Sequence, residues 1–242
     1  MTSHEFRTPL TTIYSSAELL EHYGKKWSEF KKNNHLHRIQ NMVEHMTRIL
    51  NDILLIGKVE SGKIELNLKP IELDFFCRNL INQIQFNDRN NHKIKFIYKL
   101  KKIGYKLGIN HEKNNADSSL SSTRRPYMDE KLLRQILENL LSNALKYSPN
   151  GSMVELKLTC SANQAIFKIS DQGIGIPEED QGLLFETFHR GTNVGTITGT
   201  GLGLAIVKKC LDIYQGQIDL ESEVTVGTTF TVTLPIYYLL SN

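Results

Sequence analysis

Residues 199–208 read Gly199-Thr200-Gly201-Leu202-Gly203-Leu204-Ala205-Ile206-Val207-Lys208. Three glycines at two-residue spacing run straight into an apolar stretch of helical character. Such a junction leaves backbone N–H groups free at a helix start, where the helix dipole adds to them, so it can cradle phosphate. The same residues exclude two other phosphate loops. A G-x-G-x-x-G frame begun at Gly199 ends on Leu204, and no strand-helix-strand unit precedes it. No G-x-x-x-x-G-K-[ST] run occurs in the chain. The plainer reading is a glycine hinge, and a hinge that closes over a ligand satisfies both readings.

Upstream lies Leu184-Phe185-Glu186-Thr187-Phe188-His189-Arg190-Gly191, and before it Asp171-Gln172-Gly173-Ile174-Gly175-Ile176-Pro177 at the end of the apolar run 165–170. An ionised carboxylate only accepts hydrogen bonds, so Asp171 suits an amino group such as the exocyclic amine of adenine. Gly173 and Gly175 let the backbone turn tightly against a flat base. A strand followed by a turn is the bland alternative. Further back, residues 128–147 predict a helix. Asn139, Asn143 and Lys146, spaced four and three, share one narrow stripe beside an apolar face of Leu133, Ile136, Leu137, Leu140 and Ala144. Amide oxygens are hard donors that suit Mg²⁺, and a lysine pairs with phosphate, although a solvated helix edge has the same composition.

The amino-terminal part is built differently. Phe6, Leu10, Ile13, Ala17 and Leu20 recur at alternating steps of four and three, as do Leu36, Ile39, Val43, Met46, Leu50, Ile53 and Gly57. This heptad-like stripe predicts an antiparallel helical hairpin over residues 3–57, reversing through the polar connection 24–34. A two-helix hairpin buries one face of each helix, and a second copy completes a four-helix bundle. With His4 set at 0°, the first stripe falls between about 160° and 240°, which turns His4 away from the bundle core. Glu5 beside it can hold one ring nitrogen protonated and leave the other nucleophilic, Thr8 lies one turn on, and Pro9 is expected to bend the helix.

The remaining pattern predicts strands at 64–68, 92–100, 154–159, 165–170, 217–220 and 228–234, helices at 71–88 and 202–214, and loose chain at 110–125 and 173–198. Without strict strand-helix alternation, this favours an α+β two-layer sandwich after the hairpin. The expected division is 1–62 and 63–242. The chain has 242 residues and a net charge of +3, which argues for neither nucleic acid nor a membrane surface. Cys77, Cys160 and Cys210 form no C-x-x-C pair, and no apolar run reaches the roughly 20 residues needed to span a bilayer. A cytoplasmic protein is expected.

Taken in order, the carboxy-terminal motifs resemble the N, G1, F and G2 boxes of the sensor histidine kinase ATP-binding domain, the Bergerat fold shared with gyrase-type ATPases. Ser3-His4-Glu5-Phe6-Arg7-Thr8-Pro9-Leu10 looks like the H-box of the dimerisation and histidine-phosphotransfer domain. The resemblance runs from Thr2 to about Leu234. It implies autophosphorylation of His4 from ATP, with Glu5 as general base, and transfer to an aspartate of a response regulator receiver domain. Thr8 would position water when the bundle acts as a phosphatase on that regulator. Asn143, assisted by Asn139, would hold Mg²⁺, and Lys146 and Arg190 would contact phosphates. Tyr147 would line the pocket and Asp171 would hold adenine. Gly173, Gly175, Phe188, Gly199, Gly201, Gly203 and Leu204 would shape the nucleotide site.

Two other readings share these motifs. Gyrase-like and chaperone-like ATPases place a water-activating glutamate four residues before the Mg²⁺ asparagine. Here that position is Asn139, and an amide is a poor base. The second reading is a remnant that only dimerises or sequesters partners. The family's first helix is normally preceded by sensor segments, which the sequence as read lacks, and His4 stands three residues from its first residue. Helix ends fray, so a weakened bundle and inefficient labelling at His4 are expected.

Overall fold

A computed structural model describes residues 2–62, 64–88, 90–100, 125–197 and 199–237, with side chains from Phe6 onward. Helices α1 (Thr2–Tyr23) and α2 (Glu29–Glu60) pack on each other as the expected hairpin. The reversal is tighter than the polar composition of 24–34 implied. It needs only a 3₁₀ turn at Gly24–Lys26 and two further residues, because Ser28 caps α2 by accepting from the Lys31 amide at 3.4 Å. Trp27 stacks between Tyr23 and His35, with ring centroids 6.1 and 4.9 Å away. Helix α1 continues through Pro9, which is buried.

The heptad stripe divides within the hairpin. Phe6, Ile13 and Leu20 on α1, and Ile39, Met46 and Ile53 on α2, are half-buried. Leu10 and Ala17, and Leu36, Val43 and Leu50, are exposed. One layer of the stripe thus closes the hairpin, and the next is left uncovered among the described residues.

Beyond the hairpin, β1 (Lys69–Pro70) pairs antiparallel with β3 (Tyr127–Met128). The strand expected at 64–68 is an extended segment that joins no ladder among the described residues. Its alternation reflects Leu66 packing on the core, while the Asn67 amide donates to Asp129 Oδ2 at 2.9 Å. A five-stranded mixed sheet has the order β2-β4-β5-β7-β6, from β2 (Lys93–Leu100), β4 (Met153–Cys160), β5 (Gln164–Ser170), β6 (Gln217–Glu223) and β7 (Gly227–Pro235). Only the β2/β4 pair is parallel.

Helices α3 (Leu73–Asn87), α4 (Glu130–Lys146) and α6 (Gly203–Tyr214) cover one face of the sheet. Toward them point the fully buried Val154, Leu156, Leu158, Phe167, Val232 and Leu234, at the period of two that a one-sided sheet requires. The predicted two-layer α+β sandwich is the architecture observed. The expected loose chain at 110–125 lies outside the described residues except for Arg125. The three cysteines are buried, and burial pushes their thiols up, to about 12 for Cys77 and Cys210 and about 11 for Cys160. No described helix is long and apolar enough to cross a membrane.

Candidate nucleotide site

The cleft is built outward from α4. Asp129 caps this helix, accepting from the amides of Lys131 and Leu132 at 3.0 and 3.1 Å. Its own carbonyl accepts from the buried Tyr214 hydroxyl at 2.6 Å. Leu133, Leu137, Leu140 and Leu141 anchor the apolar face and are fully buried. The opposite edge therefore meets the cleft, and Asn139, Asn143 and Lys146 line it together.

Asn139 donates through Nδ2 to the Gln135 carbonyl at 2.8 Å, which directs Oδ1 the other way. That oxygen faces Gly203, where a side-chain carbon would come within 2.8 Å of it. At Gly199 a side chain would strike the Lys146 ammonium. The glycine segment and the polar edge of α4 thus form two walls of one cradle, kept open by missing side chains. Lys146 Nζ donates to the Tyr147 hydroxyl at 3.0 Å.

One end of the cleft is set by Asp171. Its Oδ1 accepts from the Gly173 and Thr228 amides at 2.8 and 3.1 Å. Both bonds fall on Oδ1, which leaves Oδ2 to the cavity that Asp171 lines. Burial pushes this carboxyl up, against those two amides, which favour the charged form. The Ile174 amide donates to the Tyr147 carbonyl at 3.1 Å, so the loop after β5 leans on the end of α4.

A covering segment crosses the cleft between the short helix α5 (Glu178–Gln181) and α6. Buried Asp180 holds it, accepting from the Thr192 amide and hydroxyl at 2.8 and 2.9 Å, and the amide keeps its carboxyl below the usual range. His189 Nε2 lies 3.5 Å from Asp180 Oδ1. The Phe188 amide donates to the Gly201 carbonyl at 2.9 Å, locking the two ends of the segment together. Arg190 is tied to the Ile197 carbonyl.

The cavity encloses about 430 Å³. Of the residues picked out in the sequence, Asn139, Asn143, Lys146, Tyr147, Asp171, Gly175, Arg190, Gly199, Gly201, Gly203 and Leu204 line it. Gly173 and Phe188 do not. Gly173 packs under the Tyr147 carbonyl, and Phe188 acts through its backbone bond to Gly201. The side chains of His4 and Glu5 lie outside the described residues, and their backbone belongs to α1. Thr8 is exposed on that helix.

Sequence reasoning missed His189, Thr228 and a wall contributed by α2, namely His45, Arg48, Ile49 and Asp52. The signal for that wall is a second apolar repeat, Met42, Ile49 and Ile56, off the heptad stripe and seven residues apart. Ile49 is 1% exposed within the core of the carboxy-terminal domain. The amide oxygens fit a hard cation shared with phosphate. Among the described residues no group of three His, Cys, Asp or Glu side chains could hold a metal unaided.

The family described as His Kinase A (phospho-acceptor) domain matches residues 1–62, and that described as Histidine kinase-, DNA gyrase B-, and HSP90-like ATPase matches residues 128–238. The circadian input-output histidine kinase CikA of Synechococcus elongatus is 34% identical over 96% of this chain and 29% of its own length. The sensor histidine kinase WalK of Bacillus subtilis is 33% identical over 96% of this chain and 35% of its own length. The chain therefore spans about a third of the length of these curated relatives. Among solved structures, the Acinetobacter baumannii histidine kinase AdeS shares the fold, with a TM-score of 0.67, 21% identity and coverage of 96% of this chain and 98% of that one. ShkA in complex with AMPPNP also has a TM-score of 0.67, at 23% identity over 99% of this chain and 46% of that one.

Proposed function

The chain belongs to the histidine kinases, and from that premise we propose that it phosphorylates its own His4 from ATP and passes the phosphoryl group to an aspartate on a response regulator receiver domain. In the first step a lone pair on the free imidazole nitrogen attacks the γ-phosphorus, and the bond to the β,γ-bridging oxygen breaks to release ADP. Glu5 takes the proton from the other ring nitrogen. In the second step an aspartate oxygen of the regulator attacks the same phosphorus, and the P–N bond returns its electrons to the ring. Thr8 positions water when the regulator's phosphate is removed. The hairpin forms the homodimer in which these exchanges occur.

What carries the reading is that the polar edge of α4, Asp171 and the glycine segment line one cavity. Phosphoryl transfer asks for position and charge neutralisation more than covalent chemistry. Asp171 takes the adenine amine. Lys146 and Arg190 face the phosphates, with the α6 amino terminus behind them. Asn143 and Asn139 hold Mg²⁺, which neutralises phosphate charge when bound. Hydrolysis as the main activity is disfavoured by Glu138. This carboxylate, next to Asn139, lies 3.5 Å from Arg134 and does not line the cavity.

Incubation with γ-labelled ATP and Mg²⁺ tests the proposal. Acid-labile, base-stable label should appear on the chain and vanish in His4→Gln and in Asn143→Ala. Label retained in His4→Gln would refute the acceptor, and steady phosphate release without labelled protein would mark a hydrolase.

A further inference from the structure

The cleft has a wall that belongs to the other domain. Ile49 of α2 is buried in the core of the carboxy-terminal domain, and Glu60 at the end of α2 pairs with Lys209 of α6 at 3.3 Å. Helices α2 and α6 are in contact, and the two anchors give their relative direction. Stepping back eight residues along α2 from Glu60 reaches Asp52, and the same step from Lys209 reaches Gly201. Both residues line the cleft, so the helices run the same way. Arg48 and His45 then sit one and two turns further back, about 6 and 10 Å beyond Asp52 along α2 and past the start of α6. That is the side on which the amino-terminal N–H groups of α6 open and where the triphosphate of a bound nucleotide gains most.

We infer that Arg48 and His45 bind the triphosphate of ATP from the helical domain, so that the nucleotide holds α2 against the cleft. This rests on the nucleotide reading above and assigns to the same site two residues outside the ATPase-type domain. The charge pattern supports it. Within the carboxy-terminal domain, Lys146 is shared with the Tyr147 hydroxyl, and Arg190 is tied to the Ile197 carbonyl. Arg48 is felt by Asp52 four residues on, yet it closes no ion pair among the described residues. A planar guanidinium left over at a phosphate-favouring helix start is matched to paired phosphate oxygens. The only carboxylate on this wall is Asp52, and its half-buried position disfavours the charge that would repel the phosphates.

Titration calorimetry of the full chain with a non-hydrolysable ATP analogue and with AMP tests the assignment. Arg48→Ala should raise the Kd for the ATP analogue about five- to tenfold, as expected for losing a charge-assisted bond to phosphate, and leave that for AMP within twofold. Arg48→Lys should recover part of the loss, and His45→Ala should show a smaller effect of the same kind. An unchanged Kd, or an equal loss for AMP, overturns the assignment. A tighter Kd overturns it in favour of a helix that blocks the cleft. Asp171→Asn separates the two layers of the argument. If it weakens both nucleotides while Arg48→Ala does nothing, only the role of α2 fails; if it too does nothing, the nucleotide reading fails with it.

Discussion

Asp52 meets two opposed demands. Its half-buried position between α2 and the cleft disfavours the carboxylate, while Arg48 favours it, and the outcome is a carboxyl pushed up from 3.8 to about 6. An acid whose folded pKa is raised binds its proton more tightly in the docked state, so the protonated group supports the structure below about pH 4. That support is lost as pH rises through 6. At pH 7.5 the ionised group is a burden. In a closed interior a displacement of this size is worth up to about 3 kcal/mol, and solvent reaching the half-buried group reduces it to about 1 kcal/mol. Asp52→Asn should therefore stabilise the chain by about 1 kcal/mol at pH 7.5 and be neutral at pH 4, as read by urea unfolding at the two pH values. A gain of equal size at both would show that ionisation is not the cause. At this scale the carboxy-terminal residues of the cleft were legible, because amides on a helix edge, a carboxylate at a strand end and spaced glycines each suit one part of a nucleotide. His45, Arg48 and Asp52 were not. The charges by themselves do not show whether they face water or another domain; only the apolar repeat Met42, Ile49 and Ile56 beside them does.

Helix α6 and the segment before it show what one residue does to an element. Gly201 has a φ of +69°, and a side-chain carbon there would lie 2.6 Å from the Phe188 carbonyl carbon, across the link where the Phe188 amide donates to Gly201. An alanine is strained by the left-handed backbone and must also push that strap away. Gly201→Ala should cost about 1–3 kcal/mol and weaken ATP binding. Gly182 offers the control: its φ is −68° with open space around it, so Gly182→Ala should be neutral or slightly stabilising. Thermal melts with and without nucleotide check both, and equal behaviour of the two variants would rule out the strap. The elements themselves were legible where periodicity and a boundary signal agreed, as for α4 between Asp129 and Tyr147 or β5 before Asp171. They were misread where one signal stood alone. Alternation at 64–68 revealed a packed side but could not reveal that no described strand lies alongside, and the polar run 24–34 hid the cap at Ser28.

At the scale of the whole molecule, α2 presents three faces with different surroundings. In helical projection Ile39, Met46 and Ile53 fall near 260–300° and close the hairpin on α1, and His45, Arg48, Ile49 and Asp52 fall near 120–220° and meet the cleft. Leu36, Val43 and Leu50 fall near 320–360° and are 48%, 49% and 52% exposed, beside the exposed Leu10 of α1. The heptad pattern forecast this apolar strip, but a single sequence assigned all its members to one face. The structure separates the layer used within the hairpin from the layer it leaves exposed. The uncovered layer lies across α2 from the cleft, so a second copy packed there would not compete with a nucleotide for the same side chains. Leu50→Asp should therefore leave a monomer in light scattering where the unaltered chain, as proposed, is a dimer, since a carboxylate cannot be buried unpaired in the bundle. The same variant should keep its affinity for an ATP analogue within about twofold, because Leu50 is absent from the cavity wall. Loss of nucleotide binding together with dimerisation would mean that the cleft is completed only in the assembled bundle.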